Sequence, residues 1–150
     1  MRYLLFACLF VVLGCSSIEC PVQNTVACIY HLKDTLKDTL TIKTVRQNGT
    51  DTILLNKAQK PVSFKLPVSY QRAADTLIFQ TFRLAVVDTV WLSKTDFPHF
   101  ESVDCGVSYF HQINDVRCTH NGIDSIKISK SFIDYVPDNP HILIYFKARN

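Results

Sequence analysis

Short runs in which apolar and polar residues alternate recur along the chain, and this periodicity limits its fold more than any other feature. Residues 62–68 and 125–129 show it clearly; in the first run Lys65 separates Phe64 from Leu66. A period of two residues places every second side chain on one face of a β-strand, so that face can be buried. Similar runs, rich in Val, Ile, Thr and aromatic residues, cover residues 26–33, 40–46, 52–56, 76–82, 89–94, 107–113, 116–120 and 141–148.

Roughly ten strands at a spacing near twelve residues predict an all-β fold. The pattern favours one domain over residues 25–150, an antiparallel β-sandwich that is immunoglobulin-like or related, with a closed barrel as the alternative. Asn48-Gly49 predicts a hairpin turn, because a type I′ turn needs positive φ at both central residues. Asn114-Asp115 and Asn121-Gly122 predict weaker turns of the same kind.

Two strand positions can be predicted from side chains alone. Pro67 cannot donate a hydrogen bond to a ladder, so its strand is expected at the edge of a sheet. Residues 141–146 are apolar on both faces, which predicts a strand in the middle of a sheet.

The N-terminal residues have the composition of an export signal. Arg2 is followed by an apolar run over residues 3–13 and then by Gly14 and Cys15. An apolar run of about eleven residues is roughly half of what a membrane-spanning helix needs, so it predicts a cleaved leader. Val12-Leu13-Gly14-Cys15 resembles the bacterial lipobox, in which the cysteine thiol is alkylated by a diacylglyceryl group before cleavage.

We therefore predict a lipoprotein signal peptide over residues 1–14, lipidation of Cys15, and a lipidated N-terminus and short tether over residues 15–24. The alternative is an ordinary secretory signal with a coincidental cysteine. The expected location is the cell envelope, on the periplasmic side of the outer membrane, because Ser16 carries no acidic retention signal. The expected partners are the membrane, through the lipid anchor, and an outer-membrane or periplasmic protein.

Nucleic acid is not an expected partner. The chain has 16 Lys and Arg residues against 13 Asp and Glu residues, a net charge of +3, and no basic patch is visible along it. Binding to a polyanion needs clustered positive charge, which this distribution does not supply.

Four cysteines are left once Cys8 leaves with the leader and Cys15 takes the lipid. An even number in an exported chain favours two disulfides. We predict Cys20–Cys105 with Cys28–Cys118, because bridges that close long loops remove more entropy from the unfolded chain. The rival connectivity joins Cys20 to Cys28 and Cys105 to Cys118, with short loops.

Asp followed by Thr or Ser and an aliphatic residue occurs six times. The structural interpretation, which we favour as the cause of the repeats, is that Asp closes a turn and the next two residues begin a strand. The tripeptide also looks like the O-glycan acceptor motif of Bacteroidota envelope proteins. The candidate acceptors are Thr35, Thr39, Thr52, Thr76, Thr89 and Ser125.

The lipobox at Cys15, the cysteine at Cys20 and the late segment over residues 97–128 together resemble an uncharacterised family of small Bacteroidota lipoproteins, a domain of unknown function. The most telling part is residues 97–106, followed by a strand, a turn and residues 122–128. This resemblance implies an envelope location and no particular activity.

No catalytic, metal or cofactor motif is present in the sequence. A Gly-x-Ser-x-Gly elbow, a His-Glu-x-x-His helix and a phosphate-binding glycine loop are all missing. Cys118 and His120, joined by His111 or Cys105, lack the paired spacing of zinc ligands. We therefore predict no catalytic residue, no metal and no cofactor.

The leading functional hypothesis is a non-enzymatic envelope lipoprotein that binds or supports another envelope protein. The second is a glycan or small-ligand binding module, which predicts an exposed aromatic platform. The third is an enzyme, which predicts ionisable groups converging in a pocket with shifted pKa values. Five aromatic residues near the late strands are expected in the core, although shared exposure would mark a contact surface; they are Trp91, Phe97, Phe100, Tyr109 and Phe110.

Overall fold

The computed structural model describes residues 26–34, 36–46, 49–103, 105–135 and 139–148. These residues form ten strands: β1 (Ala27–Leu32), β2 (Thr39–Val45), β3 (Asp51–Gln59), β4 (Ser63–Pro67), β5 (Ala74–Thr81), β6 (Val87–Ser102), β7 (Gly106–Cys118), β8 (Ile123–Ile128), β9 (Phe132–Ile133) and β10 (Ile142–Phe146). In this part of the chain there is no helix that could cross a membrane. The leader over residues 1–14, Cys15 and the tether over residues 15–24 lie outside the described residues and stay predictions.

The strands form two sheets, one of four strands in the order β4-β1-β10-β8 and one of six in the order β3-β2-β5-β6-β7-β9. The pairing of β1 with β10 is parallel, and every other pairing between these strands is antiparallel. The predicted β-sandwich is therefore confirmed.

The core lies between the two sheets and is filled by the alternating apolar residues. Tyr30 of β1 stacks on Phe64 of β4 with ring centroids 5.4 Å apart. Phe79, from β5 of the other sheet, contacts both rings at 6.3 Å. Burial of these three large side chains joins the sheets, because aromatic residues remove more area from water than other apolar side chains.

The two predicted strand positions are also confirmed. Pro67 ends β4, an edge strand, and residues 142–146 form β10 in the interior of the four-stranded sheet. Gly49 follows β2 with a φ of 75°, in the turn that joins β2 to β3. Only a residue without Cβ adopts that conformation at low cost, which is why the glycine marks this hairpin.

The late strands differ from the prediction in two ways. β6 does not end near Lys94 but continues to Ser102, and β7 is one strand. Asn114-Asp115 is not a turn, because the register of β6 and β7 shifts at this point and leaves a β-bulge. The bulge accommodates the extra residue within the ladder. Asn121-Gly122 likewise links β7 to β8 of the other sheet instead of closing a hairpin.

The predicted Cys28–Cys118 disulfide is wrong, and so is the rival connectivity, because both thiols are free. Cys28 lies on β1 of the four-stranded sheet, whereas Cys118 ends β7 of the six-stranded sheet. The two strands do not pair with each other, so no ladder brings these thiols side by side.

Cys105, in contrast, is disulfide-bonded. Its predicted partner, Cys20, lies outside the described residues. The Cys20–Cys105 pairing therefore stays a prediction.

Candidate functional site

The β6–β7 hairpin extends beyond the rest of its sheet. β5 pairs with β6 only as far as Ser93, and β9 pairs with β7 at His111 and Gln112. The remaining ribbon, residues 97–110 without the undescribed Asp104, has no other strand beside it among the described residues. We call this ribbon the arm. Gly106, with a φ of 74°, supplies the left-handed residue that its turn requires.

Pro98 is tolerated in the arm because no described strand lies beside β6 at this position. It pairs with Tyr109, and it lies beyond the last residue of β6 that β5 contacts in the ladder. A missing N–H on that open edge costs no ladder hydrogen bond. The proline also keeps the edge from pairing with another strand along its full length.

Three charged or titratable side chains lie where the arm leaves the sandwich. Alternation along β6 places Lys94 and Asp96 on the same face as the buried Leu92, and His111 is the cross-strand partner of Asp96. Lys94 and His111 are buried, and Asp96 is about one-fifth exposed. We call these three residues the charged base.

The contacts within the charged base converge on one oxygen. Lys94 Nζ donates to Asp96 Oδ1 at 2.6 Å and to the Arg72 carbonyl at 2.7 Å. His111 Nδ1 lies 2.6 Å from the same Oδ1. Burial alone would raise the pKa of Asp96, but the hydrogen bonds from Lys94 and His111 outweigh it and lower that pKa.

Asp75 is a further buried ionisable group near the charged base. Its Oδ2 accepts a hydrogen bond from the Ser69 N–H at 3.0 Å. Its Oδ1 lies 3.8 Å from Arg72 Nη2, which is too long for a hydrogen bond. Burial is the main cause that raises the pKa of Asp75.

A cavity opens beside the charged base, between β6 and the loop over residues 68–73. Tyr70, the first residue of that loop to line the cavity, stacks on Tyr109 of the arm, with ring centroids 4.7 Å apart and planes at 6°. The cavity has a volume of about 420 Å³. Its lining residues are Tyr70, Gln71, Arg72, Ala73, Lys94, Thr95 and Asp96.

The arm exposes apolar side chains on both of its faces. Phe100 is 61% exposed, and its cross-strand partner Val107 is 55% exposed. Val103 in the turn is 89% exposed, and Phe97 on the opposite face is 45% exposed. The expectation that Phe97 and Phe100 lie in the core is therefore wrong, because the arm extends past the sheet that would cover them.

The other aromatic residues of this region are partly covered. Phe110 stacks on His99 at 4.4 Å and meets Tyr135 edge-on at 4.9 Å, and Tyr109 is covered on one face by Tyr70. Trp91, which precedes the arm on β6, is 40% exposed, so its expected position in the core is wrong as well. Shared exposure of Trp91, Phe97 and Phe100 fits the alternative that was left open, a contact surface.

Five of the six Asp-Thr/Ser-aliphatic tripeptides lie at the start of a strand. Asp38 precedes β2, and Asp51, Asp75, Asp88 and Asp124 each lie within the first two residues of a strand. This confirms the turn-to-strand interpretation for these five tripeptides. Asp34 is the exception, because the next strand begins only at Thr39. Thr39, Thr52, Thr76, Thr89 and Ser125 are half-buried strand residues and Thr35 lies outside the described residues, so glycosylation of these six hydroxyls stays a prediction.

Two of these aspartates also fix neighbouring loops. Asp38 accepts backbone N–H groups of Arg83 and Leu84 at 3.0–3.1 Å. Asp88 accepts those of Gly122 and Ile123 at 2.8 and 3.0 Å. Each buried carboxylate thus satisfies backbone donors that no strand pairs.

The histidines do not assemble around a metal. Cys118 Sγ lies 3.8 Å from His120 Nδ1, but within the described ranges no group of three or more His, Cys, Asp or Glu side chains is arranged to hold one. His31, His99 and His111 lie on three different strands. His141 is buried, and its Nδ1 accepts the Ile29 N–H at 2.9 Å.

Sequence reasoning missed the charged base and Tyr70. The available signal was Lys94, a charged residue in register with Val90 and Leu92 on the face that alternation predicts to be buried. A charge on a buried face needs a partner. Asp96, two residues later on the same face, was the nearest candidate.

The sequence pattern of a family of unknown function, DUF6452, matches residues 39–146. The matched range includes the arm, the charged base and the loop that carries Tyr70. No curated protein and no solved structure matches the chain.

Proposed function

The chain belongs to DUF6452, a family of unknown function, and from this premise we propose that it is a lipid-anchored, non-enzymatic envelope protein that binds another envelope protein through the arm. The observation that carries this proposal is the exposure of Phe97, Phe100, Val103 and Val107 together on one projecting ribbon. Exposed apolar clusters of this kind are typical of protein contact surfaces.

The charged base supports a binding role because it fixes the direction of the arm. Lys94 joins β6 to the Arg72 carbonyl of the neighbouring loop, and His111 joins β7 to β6 through Asp96. A ribbon held in this way loses little conformational entropy when a partner binds. Its apolar side chains are therefore presented in advance of contact.

The backbone of the arm offers a second means of attachment. Between Gly106 and Phe110, β7 pairs with β6 on one side, and no described strand pairs with its other side. An extended segment of a partner could add to this edge by main-chain hydrogen bonds. The apolar side chains would then decide which segment is accepted.

The first described strand begins at the end of the sandwich that carries the arm. Ala27, the first residue of β1, pairs with Pro67, which precedes the loop over residues 68–73. Ala73 of that loop accepts a backbone hydrogen bond from Lys94 at 2.9 Å. A lipid on Cys15, twelve residues before Ala27, would keep this end near the membrane, where an outer-membrane protein is the expected partner.

Burial of Lys94 and His111 favours a structural role for these two residues over catalysis. The side chain of Lys94 has no exposed surface, and that of His111 is 2% exposed. A general acid or base must come within hydrogen-bonding distance of the substrate. Neither residue can do so without opening the sandwich.

The test is capture of a partner from detergent-solubilised envelopes by the full-length, tagged protein. We expect one reproducible protein to co-purify with the wild type, and its recovery to fall about tenfold or more with the double variant F100S/V107S. F82S is the matched control, because Phe82 is 74% exposed in the loop at the opposite end of β5.

Equal recovery with the double variant would contradict the assignment of the arm. Mass spectrometry of the N-terminal peptide tests the anchor separately, since a C15A variant should lose its acyl mass and its membrane association. An unmodified Cys15 in the wild type would refute the lipid anchor.

A further inference from the structure

We infer that the cavity between Tyr70 and Asp96 is a binding site for a neutral sugar ring. This site is separate from the surface of the arm that carries Phe100 and Val107. The inference rests on three properties of the cavity: an aromatic ring with an open face, walls that carry both signs of charge, and a carboxylate oxygen held ready to accept a hydrogen bond.

The aromatic ring is Tyr70. One of its faces is stacked on Tyr109 with the planes at 6°, so the ring is held in a fixed orientation. The side chain is nevertheless 55% exposed, which leaves the other face to a ligand. A pyranose presents a face of C–H groups that packs flat on such a ring, whereas its hydroxyls point outward from the rim.

The charges of the walls select against an ionic ligand. The charges beside the cavity are already paired, Lys94 with Asp96 and Arg72 with Asp75, so little net charge is left to attract an ion. A neutral ligand that both donates and accepts hydrogen bonds suits a wall of mixed sign, because no partner is left unpaired. Sugar hydroxyls have this property.

Asp96 supplies the acceptor. Among the described residues, Lys94 and His111 both contact Oδ1, which fixes the carboxylate and leaves Oδ2 for a hydroxyl of the ligand. The group is about one-fifth exposed, and an ionised carboxylate accepts stronger hydrogen bonds than a neutral acceptor.

Gln71 adds an exposed amide on the loop side of the cavity, where the Arg72 guanidinium donates to the Val45 carbonyl. The volume of about 420 Å³ lies in the range of small-ligand pockets, about 300–1,000 Å³. One or two sugar rings are therefore the expected size of ligand. The openness of Tyr70 to solvent favours the end of a glycan over a fully enclosed molecule.

The test is saturation-transfer NMR with the full-length protein in a detergent that contains no sugar. The probes are glucose, galactose, mannose, N-acetylglucosamine, cellobiose and maltose, each added separately. We expect at least one of them to receive saturation from the protein, most strongly at the C–H protons of one ring face. For that sugar, Y70A is expected to weaken binding about tenfold or more, and Y70F to bind within about twofold of the wild type.

Q71A, which removes only an exposed amide, is expected to weaken binding by a smaller factor than Y70A. F82S is again the control for loss of an exposed aromatic ring, and unchanged thermal unfolding of each variant shows that the fold is retained. Absence of saturation transfer to all six sugars would overturn the inference, and so would transfer that Y70A leaves unchanged.

The two proposals can fail independently. The arm variant F100S/V107S leaves Tyr70 and Asp96 in place, so it should keep the sugar signal while losing the protein partner. Loss of the sugar signal in that variant would mean that the arm itself is the binding surface, which would also overturn the assignment to the cavity.

Discussion

Replacing Lys94 by Met tests whether the charged base holds the arm to the sandwich. Met has nearly the same length and no charge, so the packing volume is largely kept. The substitution removes the donor to Asp96 Oδ1 and to the Arg72 carbonyl. Asp96 then retains only the contact with His111.

The magnitude follows from the burial of the pair. Removing one partner of a buried ion pair costs about 3–5 kcal/mol. Asp96 is about one-fifth exposed and keeps His111, so water can compensate part of that loss and we expect about 2–4 kcal/mol. For a domain of this size, about 2–4 °C in Tm corresponds to each kcal/mol, which gives a decrease in Tm of roughly 4–16 °C.

The assay is equilibrium unfolding in urea, with a double-mutant cycle that includes K94M, D96L and the variant carrying both. The double variant is expected to be more stable than the sum of the single changes predicts, because neither charge is then left alone in the core. T95A is the control, since Thr95 is an exposed residue of the same strand, and its effect should stay within about 0.5 kcal/mol.

The pH dependence provides a second readout of the same pair. The lowered pKa of Asp96 means that its contribution is fully present above the unfolded value of 3.8 and is lost as pH falls through the lower folded value. K94M should reduce this loss of stability in acid. A K94M variant that costs less than about 0.5 kcal/mol, with unchanged acid sensitivity, would refute the assigned role.

Three further predictions concern groups away from the arm. Burial lowers the pKa of His141 below 6.5, so the contribution of this residue to stability is complete above about pH 6.5 and falls as the pH drops toward the folded pKa. In H141N the Oδ1 atom can still accept the Ile29 N–H, so this variant should remove the pH dependence in unfolding measurements between about pH 5 and 7. An unchanged profile would argue against His141 as the source of the dependence. D88N turns an amide toward backbone donors and should lower the free energy of unfolding in urea by about 1–3 kcal/mol. D124N changes the exposed aspartate of another copy of the tripeptide and should lower it by less than about 0.5 kcal/mol. Equal losses would contradict the loop-fixing role of Asp88. Burial raises the pKa of the Cys28 thiol to about 12, so iodoacetamide at pH 8 should label it only after unfolding, and labelling of the native protein would show that the β1 core opens.

Much of the sheet framework could be read from the sequence, because strand identity depends on local alternation. The runs around Phe64 and Leu66 show which side chains share a face, and Pro67 shows that their strand has an open edge. Gly49 marks a hairpin because its turn needs a positive φ. Each of these features depends on residues within a few positions of one another.

The sequence alone could not show where the sheet stops covering its strands. Phe100 and Val107 alternate as core residues do, but they are exposed because β5 and β9 do not extend beside the arm. Alternation determines which face of a strand a side chain occupies, whereas burial depends on whether a distant segment lies over that face. The sequence predicts a turn at Asn114 because a bulge can be recognised only when the partner strand is known.

The site and the thiols were decided by tertiary structure in the same sense. Lys94, Asp96 and His111 are brought together by the β6–β7 register, and Tyr70, from a separate loop, lines the cavity beside them. Cys28 and Cys118 remain unpaired on strands of different sheets, an arrangement that spacing along the chain does not encode. Local periodicity thus determined that the chain forms a β-sandwich, and the long-range pairing of strands determined which of its side chains face solvent, the core or each other.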